Sequence, residues 1–268
     1  MNAYLPSIYQ PFVRGSHTAT QYEQKVANRK NDKPLTPSDI VSLSRPLLAA
    51  KAAYMLRNGQ KPVMPWVIAM GASDWLDGTT ARIIDKILPD SGWGCTAHGA
   101  DNDIYADAAA LLEICTGALS APNVSIYGKL AVTAILAQEG YKFAWALNTN
   151  RHYINIVAKR RSILTKLAYA NIIDEIPTIP EKIPIPSATQ GKSAMADKFT
   201  AVALAVATND LPQGKMRTGC GLAAVAFAAV GTWNGEMVRR TEYESHANDI
   251  IQSHINSFTE ESTLLRAT

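Results

Sequence analysis

Two pairs of aspartates constrain this chain more than any other feature of its sequence. Asp74 and Asp77 form the first pair, and Asp103 and Asp107 form the second. If the surrounding segments are helical, these spacings place each pair on one helix face. Four carboxylates that converge would repel one another unless cations lay between them, and oxygen-only ligands suit Mg²⁺ or Mn²⁺. Hard cations held by carboxylates favour a phosphate or diphosphate substrate.

Small residues and an arginine follow the first pair. Gly78 and Ala81 leave room for a substrate to lie against the helix, and Arg82 offers a fork for phosphate oxygens. Gly99 precedes the second pair. Written out, the pattern is D-x2-D-G-x2-A-R … G-x3-D-x3-D.

This pattern resembles the signature of the CDP-alcohol phosphatidyltransferases, integral membrane enzymes of phospholipid synthesis. Its SDWLDG start is similar to the phosphatidylglycerophosphate synthase branch. The resemblance implies that two divalent cations, Mg²⁺ or Mn²⁺, are bound by the four aspartates, and that Asp107 also serves as the general base. It further implies that Gly78 and Arg82 contact the cytidine diphosphate part of the substrate, with Ala81 and Gly99 lining the same site.

The reaction implied is the transfer of a phosphatidyl group from a CDP-linked lipid, such as CDP-diacylglycerol, to an alcohol acceptor with release of CMP. The SDWLDG start favours glycerol 3-phosphate as the acceptor, while inositol phosphate, serine and other alcohols stay open. The implied partners are this lipid, the alcohol and membrane lipids. A homodimer is expected by analogy with the family.

Three further positions match the family less closely. Ser42 and Arg45 resemble its T-x-x-R pattern in the first helix, where polar side chains line the nucleotide pocket. Arg151 lies roughly where the synthase branch has an arginine, although the local sequence RHYINIV matches poorly. All three are predicted to bind substrate, with attraction to anionic lipid as the alternative for the nearby basic residues.

The interval between Arg82 and Gly99 is about twice as long as the family usually shows. Because it contains Pro89, Gly92 and Gly94, we interpret residues 84–97 as an enlarged loop between two helices. With a loop of this length, Asp101 is an alternative to Asp103 as the first aspartate of the second pair. Only Asp103 and Asp107 keep both spacings from Gly99.

The sequence predicts an all-α integral membrane bundle. Residues 1–33 are expected to form a cytoplasmic N-terminal arm, 34–240 the membrane domain, and 241–268 a polar C-terminal tail. A basic interfacial helix is predicted over 151–170, followed by a proline-rich extended loop. The main basic cluster and the aspartates then fall on one side, which predicts a multi-pass protein of the cell membrane with a cytoplasmic active site. Six transmembrane helices are predicted, over 35–56, 62–84, 99–120, 124–147, 191–209 and 219–238.

Composition limits the alternatives without removing them. The net charge of +3, with no basic stripe interleaved with aromatics, argues against a nucleic-acid partner. The mean hydropathy of −0.06 is an average over polar and apolar segments. Two other classes stay open: a soluble all-α isoprenoid diphosphate synthase, which also binds Mg²⁺ and diphosphate through D-x-x-D pairs, and a non-enzymatic membrane cation carrier with an aspartate-lined path.

Overall fold

A computed structural model describes residues 35–88, 91–94, 97–173, 176–177, 179, 183 and 189–267, with 97–102, 104 and 189–192 described by their backbone only. The predicted N-terminal arm, 1–33, lies outside the described residues. The described elements are seven α-helices and one π-helical segment, Arg239–Glu244. The α-helices are α1 (Pro37–Arg57), α2 (Met64–Ile87), α3 (Ala97–Ser120), α4 (Ile126–Tyr169), α5 (Thr189–Asp210), α6 (Lys215–Val238) and α7 (Ser245–Ala267).

The all-helical class is therefore confirmed for the described residues, but the predicted bundle of six transmembrane helices is wrong. None of the helices in the described ranges is both long enough and apolar enough to cross a membrane. The physical reason is that charged side chains interrupt the apolar runs, as Asp39 and Arg45 do in α1, and Glu139 and Lys142 in α4. The predicted multi-pass placement in the cell membrane depends on the same six spans, and none of the described helices supports it.

The largest differences from the predicted helix boundaries occur in three places. The predicted helices over 124–147 and 151–170 are one continuous helix, α4, of 44 residues. Residues after 240, predicted as a polar tail, form the π-helical segment and α7. The predicted loop over 84–97 is shorter, because α2 continues to Ile87.

The chain divides into two compact units, of which the first comprises Met1–Thr133 and Phe199–Ala228. In this unit α1 packs against both α2 and α3. The buried face of α1 is polar in its N-terminal half, with Ser42 and Arg45, and apolar in its C-terminal half, with Ala49, Ala52 and Leu56. The C-terminal half therefore packs through apolar side chains, and the N-terminal half presents polar groups to α2 and α3.

Small residues let α1 and α3 approach closely. A Cβ atom added to Gly117 of α3 would lie 2.6 Å from both the Cα and the Cβ of Ala53 in α1. Real Cβ atoms do not tolerate such a distance, so only glycine fits this crossing. The close contact fixes the distance between the two helices. It therefore also determines how far the polar side chains of α1 must extend to contact α3.

Two of the helices that carry the four aspartates and Arg45, α1 and α2, begin with hydrogen-bonded backbone donors. At the start of α1, the Thr36 side chain accepts a hydrogen bond from the Asp39 backbone N–H, and Asp39 Oδ2 accepts one of 2.8 Å from the Thr36 backbone N–H. This reciprocal capping box stabilises the first turn. At the start of α2, the backbone N–H groups of Val63 and Met64 each donate to Asp210 Oδ2 at 2.9 Å.

The second unit comprises Ala134–Lys198 and Ala229–Thr268. Its apolar core joins α4, α7 and the loop that follows α4, and consists of Tyr153, Val157, Leu164, Ile179, Ile183, Ala247 and Ile251. Arg160 of α4 forms a salt bridge of 2.7 Å with Glu261 of α7. The C-terminal residues are thus a packed part of this unit.

Candidate functional site

The four aspartates of the sequence pattern meet in the first unit, around the guanidinium of Arg45. Asp74 and Asp77 come from α2, and Asp103 and Asp107 come from α3. Arg45 belongs to α1 and is almost completely buried, with 1% of its side chain exposed. Three helices therefore supply the charged groups of one site.

One guanidinium contacts all four carboxylates. Arg45 Nη1 donates to Asp103 Oδ1 at 2.9 Å and to Asp107 Oδ1. Arg45 Nη2 donates to Asp77 Oδ2 and lies 3.4 Å from Asp74 Oδ1. Since four carboxylates face a single cationic side chain, the site carries an excess of negative charge when all of them are ionised.

Ser42 is the second contribution of α1 to the site. Its hydroxyl donates to Asp77 Oδ2 at 2.6 Å. Ser42 and Arg45 lie on the same face of α1 because they are separated by about one helical turn. The sequence predicts both as substrate-binding residues, and the structure places both against the predicted metal ligands.

Burial and the neighbouring charges together set the pKa values of the site. Desolvation raises the pKa of Asp107 to about 6, against the opposing effect of the Arg45 charge. Desolvation also raises the pKa of Asp77, although the hydrogen bond from Ser42 lowers it. For Arg45, burial lowers the pKa, but the charges of Asp107 and Asp103 outweigh it and hold the pKa above its ordinary value.

The carboxylates differ in their exposure to solvent. The exposed fraction of the side chain is 60% for Asp74, 42% for Asp103, 18% for Asp107 and 10% for Asp77. The site therefore opens toward Asp74 and Asp103 and closes at Asp77. A soluble ligand would reach the two exposed carboxylates first.

The donor set fits a hard divalent cation. One carboxylate oxygen from each of Asp74, Asp103 and Asp107 lies within 4.8 Å of the other two. Cations of the Mg²⁺ and Mn²⁺ type take oxygen ligands of this kind. In addition, Arg45 Nε is buried without a hydrogen-bond partner, so the present arrangement leaves one donor of the site unsatisfied.

Four further residues predicted to bind substrate lie on α2 and α3. Gly78 is half-buried in α2, and a Cβ atom added there would meet the Arg82 guanidinium at 3.6 Å. Ala81 is buried, whereas Arg82 is exposed and lies over Gly78. Gly99 belongs to the first turn of α3, which is described by its backbone only.

Arg151 is exposed on α4 in the second unit. The side chain of Asp101, the competitor of Asp103, lies outside the described residues. The sequence pattern did not reveal that Arg45 contacts every one of the four aspartates, because nothing in a single chain links residues so far apart.

No protein-family model, no curated protein and no solved structure matches the chain. A functional assignment therefore depends on the residues of this site and on their geometry.

Proposed function

We propose that the chain is a divalent-cation-dependent transferase that moves a substituted phosphate group from a CDP-linked lipid to an alcohol, with release of CMP. One observation carries this proposal: two aspartates of α2 and two of α3 meet at one point, in the spacing of the D-x2-D-G-x2-A-R … G-x3-D-x3-D pattern. Glycerol 3-phosphate is the acceptor that the SDWLDG segment favours.

The cation ligands in this proposal are Asp74, Asp77, Asp103 and Asp107. Bound Mg²⁺ or Mn²⁺ would neutralise charge on the diphosphate and stabilise the CMP leaving group. The exposed carboxylates of Asp74 and Asp103 lie on the side from which a diphosphate would enter. The more buried carboxylates of Asp77 and Asp107 would hold the cations at the closed end of the site.

The groups that bind the cytidine diphosphate part follow Asp77 in α2. Gly78 presents backbone without a side chain, and the exposed Arg82 guanidinium lies beside it. Arginine is suited to phosphate oxygens because its planar fork donates two parallel hydrogen bonds. Arg82 therefore binds the diphosphate in this proposal, and Gly78 allows the substrate to lie against α2.

Asp107 is the general base. The acceptor hydroxyl attacks the β-phosphorus, the bond from that phosphorus to the oxygen bridging the two phosphates breaks, and CMP leaves with the bonding electron pair. The hydroxyl proton passes to a carboxylate oxygen of Asp107. The Asp107 side chain is largely buried, which restricts its movement, so that it acts through its position.

The test is a substrate comparison in one detergent preparation. CMP release is measured from CDP-diacylglycerol with glycerol 3-phosphate, inositol phosphate or serine, with Mn²⁺ and with a chelator. The proposal expects release that needs both Mn²⁺ and one of the alcohols. Pyrophosphate release from an isoprenyl diphosphate, with no CMP release from the CDP-lipid, would contradict it and support the isoprenoid synthase class. Tight Mn²⁺ binding without any affinity for CMP would support the cation carrier.

A further inference from the structure

Arg45 takes the position of a cation among the aspartates. We propose that Arg45 is a built-in counter-cation that competes with the divalent metal ion for Asp103 and Asp107, and that metal binding releases its guanidinium to the diphosphate of the substrate. The competition concerns residues of this chain alone. The second step, release to the diphosphate, rests on the proposed function.

Arg45 and a bound metal ion would use the same carboxylate groups. Asp103 and Asp107 each accept a hydrogen bond from Arg45 Nη1 through Oδ1. The same two residues, with Asp74, bring their carboxylate oxygens within 4.8 Å of one another. A metal ion bound by this group would lie beside the guanidinium of Arg45, which is itself buried. Two neighbouring positive groups repel each other, so the metal ion and the guanidinium disfavour each other at this site.

The guanidinium is well placed to move. Its Nε atom is buried and has no hydrogen-bond partner, so the arginine does not use all of its donors in this position. Three flexible methylene groups connect it to α1, which allows the head group to swing while the backbone stays fixed. Metal binding therefore displaces a side chain whose own hydrogen bonding is incomplete.

Once metal ions hold the carboxylates, the remaining anionic partner in the proposed reaction is the diphosphate. A guanidinium binds phosphate oxygens in the same forked geometry in which it binds carboxylates. The exchange orders the two binding events, because the metal must enter before Arg45 becomes available to the diphosphate. Arg45 is in this view a positioning residue that keeps four carboxylates together before the metal arrives.

The test measures Mn²⁺ binding without substrate, by titration of the free-ion electron paramagnetic resonance signal. Arg45→Gln removes the competitor, so its Kd for Mn²⁺ should fall at least about tenfold, in line with the strength of hydrogen bonds to charged groups. Arg57→Gln, on an exposed arginine of the same helix, is the control and should leave the Kd unchanged. An unchanged or higher Kd for Arg45→Gln would overturn the proposal.

Two further measurements keep the test decisive. Arg45→Lys retains the charge but lacks the fork, so it should hold fewer carboxylates and bind Mn²⁺ more tightly than the native chain; equal or weaker binding counts against the proposal even if Arg45→Gln fails to fold. The rise in melting temperature on adding Mn²⁺ should also be larger for Arg45→Lys than for the native chain. A gain in Mn²⁺ affinity without any CMP release would leave the competition standing and remove the proposed reaction. CMP release by the native chain, combined with unaltered Mn²⁺ affinity in Arg45→Gln, would support the proposed reaction and overturn the competition.

Discussion

Ser42 Oγ donates a hydrogen bond of 2.6 Å to Asp77 Oδ2 and so joins α1 to α2 at the carboxylate cluster. The same oxygen of Asp77 also accepts from Arg45 Nη2. Asp77 is the least exposed of the four carboxylates, and a buried carboxylate depends on such donors because water cannot replace them. Ser42 and Arg45 of α1 therefore compensate the cost of burying the Asp77 carboxylate of α2.

Ser42→Ala should destabilise the first unit. Loss of one donor to a buried charged group costs about 1–3 kcal/mol of the free energy of unfolding. The substitution should also raise the pKa of Asp77 further, because the Ser42 hydrogen bond opposes the increase caused by burial. Chemical denaturation gives the first effect. Ser44→Ala is the matched control, because Ser44 donates only to the backbone oxygen of Val41 in its own helix; equal losses for both variants would refute the role of Ser42.

Gly117→Ala should disturb the crossing of α1 and α3. The added methyl group would lie 2.6 Å from Ala53, so the helices must separate, at a cost of about 1–3 kcal/mol in unfolding free energy. Chemical denaturation measures this loss.

The control for this variant is Gly71→Ala in α2, where an added Cβ atom meets nothing within 4 Å. Alanine is favoured over glycine within a helix, so this change should be neutral or stabilise the chain by up to about 1 kcal/mol. If Gly117→Ala were as well tolerated as Gly71→Ala, the close crossing of α1 and α3 would be contradicted.

His254 makes the attachment of α7 to α4 sensitive to pH. Its Nδ1 lies 2.8 Å from Arg160 Nη1, and the ring packs edge-on against Tyr153 with centroids 5.4 Å apart. Burial and the Arg160 charge lower the pKa of His254, while Glu261 opposes them. The folded helix therefore keeps the ring neutral, and protonation removes the acceptor of the Arg160 hydrogen bond.

The sign of the pH effect follows from the lowered pKa. An unfolded α7 takes up the proton first, near the ordinary histidine pKa of about 6.5, so the stability of α7 is lost as pH falls below that value. Amide hydrogen exchange in α7, corrected for its intrinsic pH dependence, should show this loss. His254→Asn keeps an acceptor near the Nδ1 position but does not titrate, so it should remove the effect; an identical pH dependence in His254→Asn would contradict this role.

Much of the site could be predicted from the sequence because its signal is local. Helical spacing places Asp74 with Asp77 and Asp103 with Asp107 on single helix faces, and the structure brings the two faces together. The central position of Arg45 could not be predicted in this way. A lone arginine in an apolar run is equally compatible with a surface position, and only the packing of α1 on α2 and α3 decides between them.

The errors in the fold have a common physical cause. Charged residues inside α4 are paired: Glu139 forms salt bridges with Lys142 at 3.0 Å and with the buried Lys198 of α5 at 2.5 Å. Pairing within and between helices removes the cost of these charges and lets α4 continue. Alanine-rich runs that pack inside a bundle also resemble runs that face lipid, which explains the prediction of six transmembrane helices.

The most direct test of the proposed reaction compares conservative carboxylate variants in a single assay. Mn²⁺-dependent CMP release from CDP-diacylglycerol is measured for the native chain, Asp103→Asn, Asp107→Asn and the control Glu113→Gln, which alters a carboxylate further along α3. Asp103→Asn should lose both Mn²⁺ affinity and turnover. Asp107→Asn should retain much of its CMP affinity but lose about 10²–10⁴-fold in turnover, the usual contribution of a general base. Turnover near the native rate in Asp103→Asn and Asp107→Asn, or an equal loss in Glu113→Gln, would contradict the assignment of this site.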